Sequence, residues 1–489
     1  MKRARLLAWL LYLLPLLVFG WIVFINRFPD GYAFTAGDFS QPRNIQETFH
    51  NFFYVWNNQL ASVAEGGYFS WFSAFPFYFL FYFLPSKLGL SDTNTLSFIL
   101  FSFLSLSYLS FLLAVKTLFS RVHNGFAALL SFIYAANSVT LFFFTYAWGF
   151  SHQILLYIFI PALVALFCKI LETKKFKYIL FFLLTLFFST PSYTNSAFAL
   201  SLAIYLFLVT ILALVLKIIR FSRSLVLSLL VTGLGALGVV GYWLLPTLSF
   251  LKMGLAITAS GGGIFDLSSW LRSHSSNVLS ILLNLPDYGT HYPFKYEAVI
   301  FSLLTFIVIS LFIFSLLKKN YTDRRERQWR LLFALMFIIF AILVKKTSPP
   351  LSFFTVQIFR LPLLAVLRSY EKTAVFLPFS LLIPVYVFSA NISQRKNRIL
   401  VASLLFLSLL TVRPYFTGGI QTNYSVTFPK GKNYLSADYA MLTKIPNAYY
   451  DLASISNENK TDTRILSAPF GALNSISWVN YPRWKMIGN

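Results

Sequence analysis

Long apolar runs separated by short polar segments cover most of this chain. The runs that are long enough, or nearly long enough, to cross a bilayer as helices predict about eleven transmembrane helices. They lie at residues 6–25, 95–115, 125–146, 150–168, 177–190, 196–216, 225–246, 298–317, 331–344, 373–390 and 399–412. The pattern therefore predicts an all-α polytopic membrane protein.

One further run, at residues 68–84, does not fit this series. Counting it as a span would invert every later loop and place the lysines near position 175 outside. It contains Pro76, Trp71 and many Phe and Tyr residues, which suit an interfacial helix better than a straight span. We expect a re-entrant or interfacial helix on the outer side.

Composition sets the class of protein. Of the 489 residues 57% are apolar and only 11% charged, which excludes a soluble globule. A net charge of +24 would suggest nucleic acid in a soluble protein, but here it first reports membrane orientation, so we expect no nucleic-acid partner. The single cysteine, Cys168, excludes an internal disulfide and a cysteine-built metal site.

The basic residues indicate the orientation. With residues 68–84 kept outside, the inner segments hold 21 of the 40 Lys and Arg residues. This predicts a multi-pass protein of the plasma membrane with a cytoplasmic N-terminus and an extracytoplasmic C-terminal region. The opening run follows Lys2, Arg3 and Arg5 without a small-residue cleavage site, so we keep it as the first span.

The same topology divides the chain into two regions. Residues 1–412 form the transmembrane domain, with a first outer loop at 26–68 and further outer loops at 247–297 and 345–372. Residues 413–489 form a small extracytoplasmic region, which we expect to be cut short and which has too little core-forming sequence for a fold assignment.

Asp38 is our candidate general base. It lies in the stretch Gly37-Asp38-Phe39-Ser40-Gln41-Pro42 of the first outer loop, where a short carboxylate can meet a substrate at the membrane surface. The alternative is that Asp38 caps a short surface helix starting near Pro42. Further loop and substrate candidates are Asp30, Gln41, Arg43, Glu47, Trp71 and Trp270. The tryptophans could stack on a sugar or belong to the interfacial aromatic belt.

The outer connection 345–372 carries cations that oppose the orientation signal. They are Lys345, Lys346, Arg360, Arg368 and Lys372. Arg offers a planar fork and Lys a point charge to phosphate oxygens, which favours a specific phosphate site. The alternative is that these side chains reach ordinary anionic lipid head groups. Four of the five histidines are expected outside, so a divalent cation beside Asp38 stays open, although no ligand spacing supports it.

The chain resembles the GT-C superfamily of integral membrane glycosyltransferases, and within it the arabinofuranosyltransferase-like group. The residues that carry this resemblance are Gly37-Asp38 through Gln41, the 67–83 segment, Ala135-Ala136-Asn137, Pro161 and the 368–372 segment. The resemblance implies a helical membrane fold, a polyprenyl-phosphate-linked sugar as donor and Asp38 at the acidic catalytic position. A second loop acid found in many relatives has no counterpart here unless it is Asp30 or Glu47.

These observations together predict transfer of a sugar to a cell-envelope glycan acceptor at the outer face, with inversion of the anomeric centre. One alternative is a transporter or flippase of lipid-linked saccharides, and another is a non-catalytic envelope-assembly membrane protein. No Asp or Glu lies in the middle of a predicted span, which counts against an ion-coupled transporter.

Overall fold

The computed structural model describes most of the helical part of the chain. The described residues are 2–27, 32–36, 39–40, 74–119, 123–145, 152–194, 196–260, 307, 310–313, 316, 324–348, 351–361, 364, 367, 371–390, 396, 399, 403, 413–416 and 442–444.

Helices dominate these residues. In the first half of the chain they are α1 Lys2–Ile25, α2 (Phe75–Tyr78, Phe79–Phe83 and Leu84–Lys87), α3 Asp92–Leu118, α4 Asn124–Ala135, α5 Ser138–Thr145, α6 Leu155–Thr173, α7 Phe176–Ser189 and α8 Ser196–Val215. The second half contains α9 Arg223–Ser260, α10 Arg324–Lys345, α11 Ser352–Arg360, α12 Glu371–Ala374, α13 Leu377–Ala390 and α14 Arg413–Phe416. Single turns of 3₁₀ helix at His152–Ile154 and Thr190–Thr194 flank α6 and α7.

Eight helical segments in the described ranges are long and apolar enough to cross a membrane, and one of them is interrupted at Ala136 and Asn137. They are Thr93–Leu118, Asn124–Leu141, Leu155–Thr173, Phe176–Tyr193, Ala197–Val215, Arg223–Tyr242, Arg324–Lys345 and Lys372–Ala390. Each corresponds to a predicted span, and the two short runs 177–190 and 331–344 are among those confirmed. The first predicted span is helical as α1, while the runs 298–317 and 399–412 lie mostly outside the described residues.

The helices differ in how far they are enclosed. The apolar segments Leu155–Thr173, in α6, and Lys372–Ala390, which contains α13, are 83% and 89% buried. These helices therefore form the centre of the bundle. In α9 the apolar segment Arg223–Tyr242 is only 17% buried. A helix that is apolar on an uncovered surface is suited to face lipid, which places α9 at the periphery.

Helix α2 is too short to cross. Its 13 residues, with a π turn at Phe79–Phe83, rise about 20 Å at 1.5 Å per residue, less than the ~30 Å hydrocarbon core. Phe77, Tyr78, Phe81 and Tyr82 are buried against the bundle. The segment predicted as re-entrant or interfacial therefore contains a short helix, and its outer location stays a prediction.

A small sheet adds to the helical fold. Strands β1 Tyr32–Ala36, β2 Phe39–Ser40 and β3 Leu442–Lys444 form an antiparallel sheet in the order β2-β1-β3. The sequence analysis did not foresee a contact between the first outer loop and residues 413–489. In the structure β3, which belongs to the C-terminal region, pairs with β1.

One end of the bundle, which we call the Glu172 end, is held by an ionic cluster. The Glu172 carboxylate accepts hydrogen bonds from Arg325 Nε at 2.6 Å, from Trp329 Nε1 at 2.9 Å and from Lys169 Nζ at 3.1 Å. Arg325 Nη2 also donates to it, which makes the arginine contact bidentate. Glu172 thus ties the end of α6 to the beginning of α10.

Candidate functional site

The opposite end of the bundle, which we call the Asn26 end, gathers segments that are far apart in sequence. Asn26 follows α1, and its Nδ2 donates to the carbonyl oxygen of Tyr415 in α14. The Tyr415 hydroxyl in turn donates to Thr140 Oγ1 in α5 at 3.4 Å. Asn26, Thr140 and Tyr415 are all buried. The beginning of the first outer loop and the beginning of the C-terminal region therefore lie side by side.

Strands β1 and β2 frame the candidate base. Ala36 pairs with Phe39 and Thr35 with Ser40, so Gly37 and Asp38 are the two residues that connect the strands. A two-residue connection with Gly first is a typical hairpin sequence. Asp38 itself lies outside the described residues. The flanking strands favour the loop interpretation of this stretch, while Pro42 and the helix suggested there also lie outside the described residues.

One predicted membrane span is interrupted near this end of the bundle. The predicted span 125–146 is divided at Ala136 and Asn137 into α4 and α5, which corrects the prediction of one continuous helix. The cause is the Asn137 side chain, whose Oδ1 accepts from Val139 N at 2.8 Å and Thr140 N at 3.1 Å. Asn137 therefore caps the start of α5 inside the protein, where no water reaches the free N–H groups.

Two tyrosines support this break. Asn137 Nδ2 donates to the Tyr134 carbonyl and to the Tyr157 hydroxyl, each at 2.8 Å. The rings of Tyr134 and Tyr157 stack with centroids 4.7 Å apart, and each hydroxyl donates to the carbonyl oxygen of the other residue. The result is a closed, buried polar network that joins α4, α5 and α6.

Pro161 makes one of these acceptors available. Proline has no N–H, so the carbonyl of Tyr157, four residues earlier, receives no bond from it within the helix. The Tyr134 hydroxyl takes that place at 2.6 Å. The next amide, of Ala162, donates to Ser110 Oγ in α3 at 3.1 Å. Pro161 thus redirects backbone bonding of α6 toward α3 and α4.

His152 lies buried at the Asn26 end, beside α2. Its ring is 6.2 Å from the ring of Phe77 and 6.0 Å from that of Tyr78, and Ser192 Oγ donates to its carbonyl oxygen at 3.2 Å. Burial lowers the pKa of His152 to about 3 and raises the pKa of Tyr78 above its usual value. Both side chains are therefore uncharged at neutral pH, and this part of the site is apolar.

The cationic connection begins with two buried lysines. Lys345 is the last residue of α10, and Lys346 follows it. Their exposed fractions are 3% and 0%, although both were predicted on an outer loop. Lys345 Nζ donates to the Ser348 carbonyl oxygen at 2.7 Å. Thr355 Oγ1 in α11 donates to the Lys346 carbonyl oxygen at 2.5 Å, which fixes α11 against this turn. The turn that follows α10 therefore holds two adjacent lysine side chains that pack inside the protein.

The residues that precede the two arginines of the connection in the sequence pack in one place. Phe359 and Leu367 are 1% and 2% exposed and form one buried cluster with Ala197 at the start of α8. Arg360 follows Phe359 and Arg368 follows Leu367 in the sequence. Ala197 is the third residue after the 3₁₀ segment Thr190–Thr194, whose Ser192 contacts His152. The connection therefore packs at the Asn26 end.

The remaining predicted site residues divide into two groups. Lys372 is half-buried in α12, and Arg360 ends α11 with a side chain outside the described atoms. The others lie outside the described residues altogether: Asp30, Asp38, Gln41, Arg43, Glu47, Trp71, Trp270 and Arg368. The described residues contain no group of three or more His, Cys, Asp or Glu side chains that could hold a metal ion.

The sequence analysis missed the structural role of three positions. In the sequence, Tyr134 and Tyr157 are ordinary aromatic residues of apolar runs, and His152 is one of several scattered histidines. The only available signal was Asn137, an amide inside an apolar run, which the sequence analysis used as a point of resemblance without assigning its role.

No protein-family model matches the chain. No curated protein matches it either. Among solved structures, a cryo-EM structure of a mutant arabinofuranosyltransferase AftD from mycobacteria has a TM-score of 0.54 with this chain at 12% identity, covering 93% of this chain and 30% of AftD. A second AftD structure has a TM-score of 0.44 at 13% identity, covering 93% of this chain and 29% of AftD. This chain thus spans less than a third of AftD's length. The first similarity establishes the fold alone: the chain has a helical fold like that of AftD, and eight segments in the described ranges are long and apolar enough to cross a membrane.

Proposed function

We propose that this protein is a membrane glycosyltransferase that transfers a sugar from a polyprenyl-phosphate donor to a cell-envelope glycan acceptor on the outer face of the membrane. The observation that carries the proposal is the packing of Phe359 and Leu367 on Ala197. It draws the residues next to Arg360 and Arg368 to the end of the bundle where the first outer loop begins at Asn26. The similarity in fold to AftD, an arabinofuranosyltransferase, supports the same chemistry.

The proposed reaction is a single displacement. Asp38 accepts the proton of an acceptor hydroxyl, whose oxygen forms a bond to the anomeric carbon of the donor sugar. The bond between that carbon and the phosphate oxygen breaks, and the polyprenyl phosphate leaves with the electron pair. Attack opposite the leaving group inverts the anomeric centre.

The cations stabilise the leaving group. Arg360, Arg368 and Lys372, together with Lys345 and Lys346, hold the phosphate whose negative charge increases as the bond breaks. Fixed cations in a poorly hydrated site are effective in this role, because they need no reorganisation during the reaction. The burial of Lys345 and Lys346 supports a low-water environment at this turn.

The test uses purified protein in lipid nanodiscs with a radiolabelled polyprenyl-phosphate sugar. Asp38→Asn keeps the size of the side chain but removes the base, so we expect transfer to fall roughly 10²- to 10⁴-fold while binding of the lipid phosphate is retained. Glu65→Gln, in the same outer loop, is the control and should leave transfer unchanged. Wild-type turnover by Asp38→Asn would remove the enzyme mechanism proposed here.

The binding step is tested separately. Lys346→Gln should weaken binding of the polyprenyl phosphate, whereas Lys87→Gln, an exposed cation at the end of α2, should not. A flippase would show the same binding effect without any product. Chelation by EDTA addresses the divalent cation, since loss of transfer that Mg²⁺ restores would assign one to the site.

A further inference from the structure

The C-terminal region contributes a strand to the first outer loop. Tyr32 pairs with Lys444, Ala33 with Thr443 and Phe34 with Leu442 in an antiparallel ladder. On its other edge, β1 has only two register pairs with β2. Strand β1 is therefore the central strand, and β3 supplies the longer of its two partners.

A second contact brings the two regions together at their base. Asn26 Nδ2 donates to the Tyr415 carbonyl oxygen, so the chain that leads to β3 starts beside the chain that leads to β1. The Tyr415 hydroxyl also donates to Thr140 in α5. The beginning of the C-terminal region is thus fixed to the bundle at Tyr415.

The physical consequence concerns the hairpin of β1 and β2. An isolated two-stranded hairpin is marginally stable in water, and three strands are needed for independent stability. Strand β2 has only two residues, so the hairpin is shorter than a typical one. The β1–β3 ladder is therefore the main source of order for the segment that carries the Gly37-Asp38 connection.

We propose that Leu442–Lys444 is a positioning strand, which holds strand β1 and, through it, β2, the two strands between which Gly37 and Asp38 stand in the sequence. Thr443 is the residue at its centre. This inference rests on the proposed function for its kinetic consequence, but the placement of the strand can be tested without any turnover. Because β3 acts through β1, its loss moves the base without removing any group that binds the donor.

The first experiment measures placement. The only natural cysteine, Cys168, is buried in α6, so engineered pairs can be oxidised without interference. Directly opposed residues of an antiparallel pair have Cα atoms roughly 4.5–5.5 Å apart, within the range of a disulfide. Ala33→Cys with Thr443→Cys should therefore crosslink in native membranes. The control pair, Tyr32→Cys with Leu442→Cys, is two positions out of register and should not, since diagonal residues are about 7–8 Å apart.

The second experiment measures the kinetic role. Thr443→Pro removes a backbone donor and disrupts the ladder, so we expect kcat to fall about 10²-fold, the scale of a misplacement of about 1 Å, with the KM for the donor unchanged. Thr443→Val keeps a β-branched side chain that is suited to a strand, and it should retain wild-type kcat. A general loss of folding in Thr443→Pro would instead lower the amount of extractable protein of that variant relative to Thr443→Val.

The outcomes separate the two proposals. Selective crosslinking of the in-register pair, with a kcat defect only in Thr443→Pro, supports the positioning strand. Equal crosslinking of both pairs, or wild-type kcat in Thr443→Pro, overturns it. Selective crosslinking of a protein that transfers no sugar upholds the strand pairing and contradicts the proposed function.

Discussion

Replacement of Asn137 by alanine tests whether a single amide holds the break between α4 and α5. Asn137 is 7% exposed, and its side chain takes part in four hydrogen bonds. Two of these cap the start of α5 through Oδ1, and two are donated by Nδ2 to Tyr134 and Tyr157. The Asn137→Ala variant removes all four, whereas Asn137→Ser retains a capping oxygen and loses the two donors.

The expected cost follows from the two kinds of bond. Loss of an N-cap costs about 1 kcal/mol, with a range of roughly 0.5–2. Side-chain hydrogen bonds inside membrane proteins contribute about 0.6 kcal/mol each, so the two donors add about 1.2. We therefore expect Asn137→Ala to lower the free energy of unfolding by about 2 kcal/mol and Asn137→Ser by about 1.

The assay is reversible unfolding by SDS in mixed micelles, followed by tryptophan fluorescence. Asn94→Ala is the matched control, since Asn94 is exposed at the start of α3, and it should stay within about 0.5 kcal/mol of wild type. If Asn137→Ser is as destabilised as Asn137→Ala, the capping role is refuted. If both behave like Asn94→Ala, the whole network contributes nothing measurable.

Two further predictions use the same unfolding assay. Burial lowers the pKa of His152 to about 3, so below pH 6.5 the unfolded chain binds a proton that the folded protein does not. The free energy of unfolding should therefore fall by about 2 kcal/mol between pH 6.5 and 5. His152→Gln should flatten that decline, and an unchanged decline would contradict the assignment. At the other end of the bundle, Glu172→Ala leaves the buried Trp329 Nε1 and the 14% exposed Lys169 without their acceptor. Arg325 is 44% exposed and regains water when its partner is removed. We therefore expect Glu172→Ala to lower the free energy of unfolding by about 3 kcal/mol. The control, Glu326→Ala at a half-exposed position, should lower it by less than about 1 kcal/mol. Equal losses in these two variants would show that the cluster is only a surface ion pair.

Hydropathy predicted the spans well because burial in lipid requires long apolar helices whatever their neighbours are. Even the short runs 177–190 and 331–344 correspond to confirmed helices. The break at Asn137 could not be predicted in the same way. One amide in an apolar run is compatible with a continuous helix, and its capping role depends on Tyr157, which is twenty residues away.

The candidate site shows a similar division. Chain position and topology identified the cations of the 345–372 connection, because cations on an outer loop oppose the orientation signal. Their surroundings depend on tertiary packing: Lys345 and Lys346 are buried, and the position of Arg360 depends on contacts of Phe359 with α8. The β1–β3 pairing was equally hidden, since three strands of two to five residues carry no periodic signal that links them.

The pairing between Asn26 and Tyr415 joins residues 389 positions apart in the chain. During synthesis at roughly 5–20 residues per second, β1 emerges roughly 20 to 80 seconds before β3 exists. Throughout that interval β1 lacks its longer partner, so the ladder between Tyr32–Ala36 and Leu442–Lys444 cannot form. Assembly of this sheet is thus completed last, after the helices that precede β3 have been synthesised.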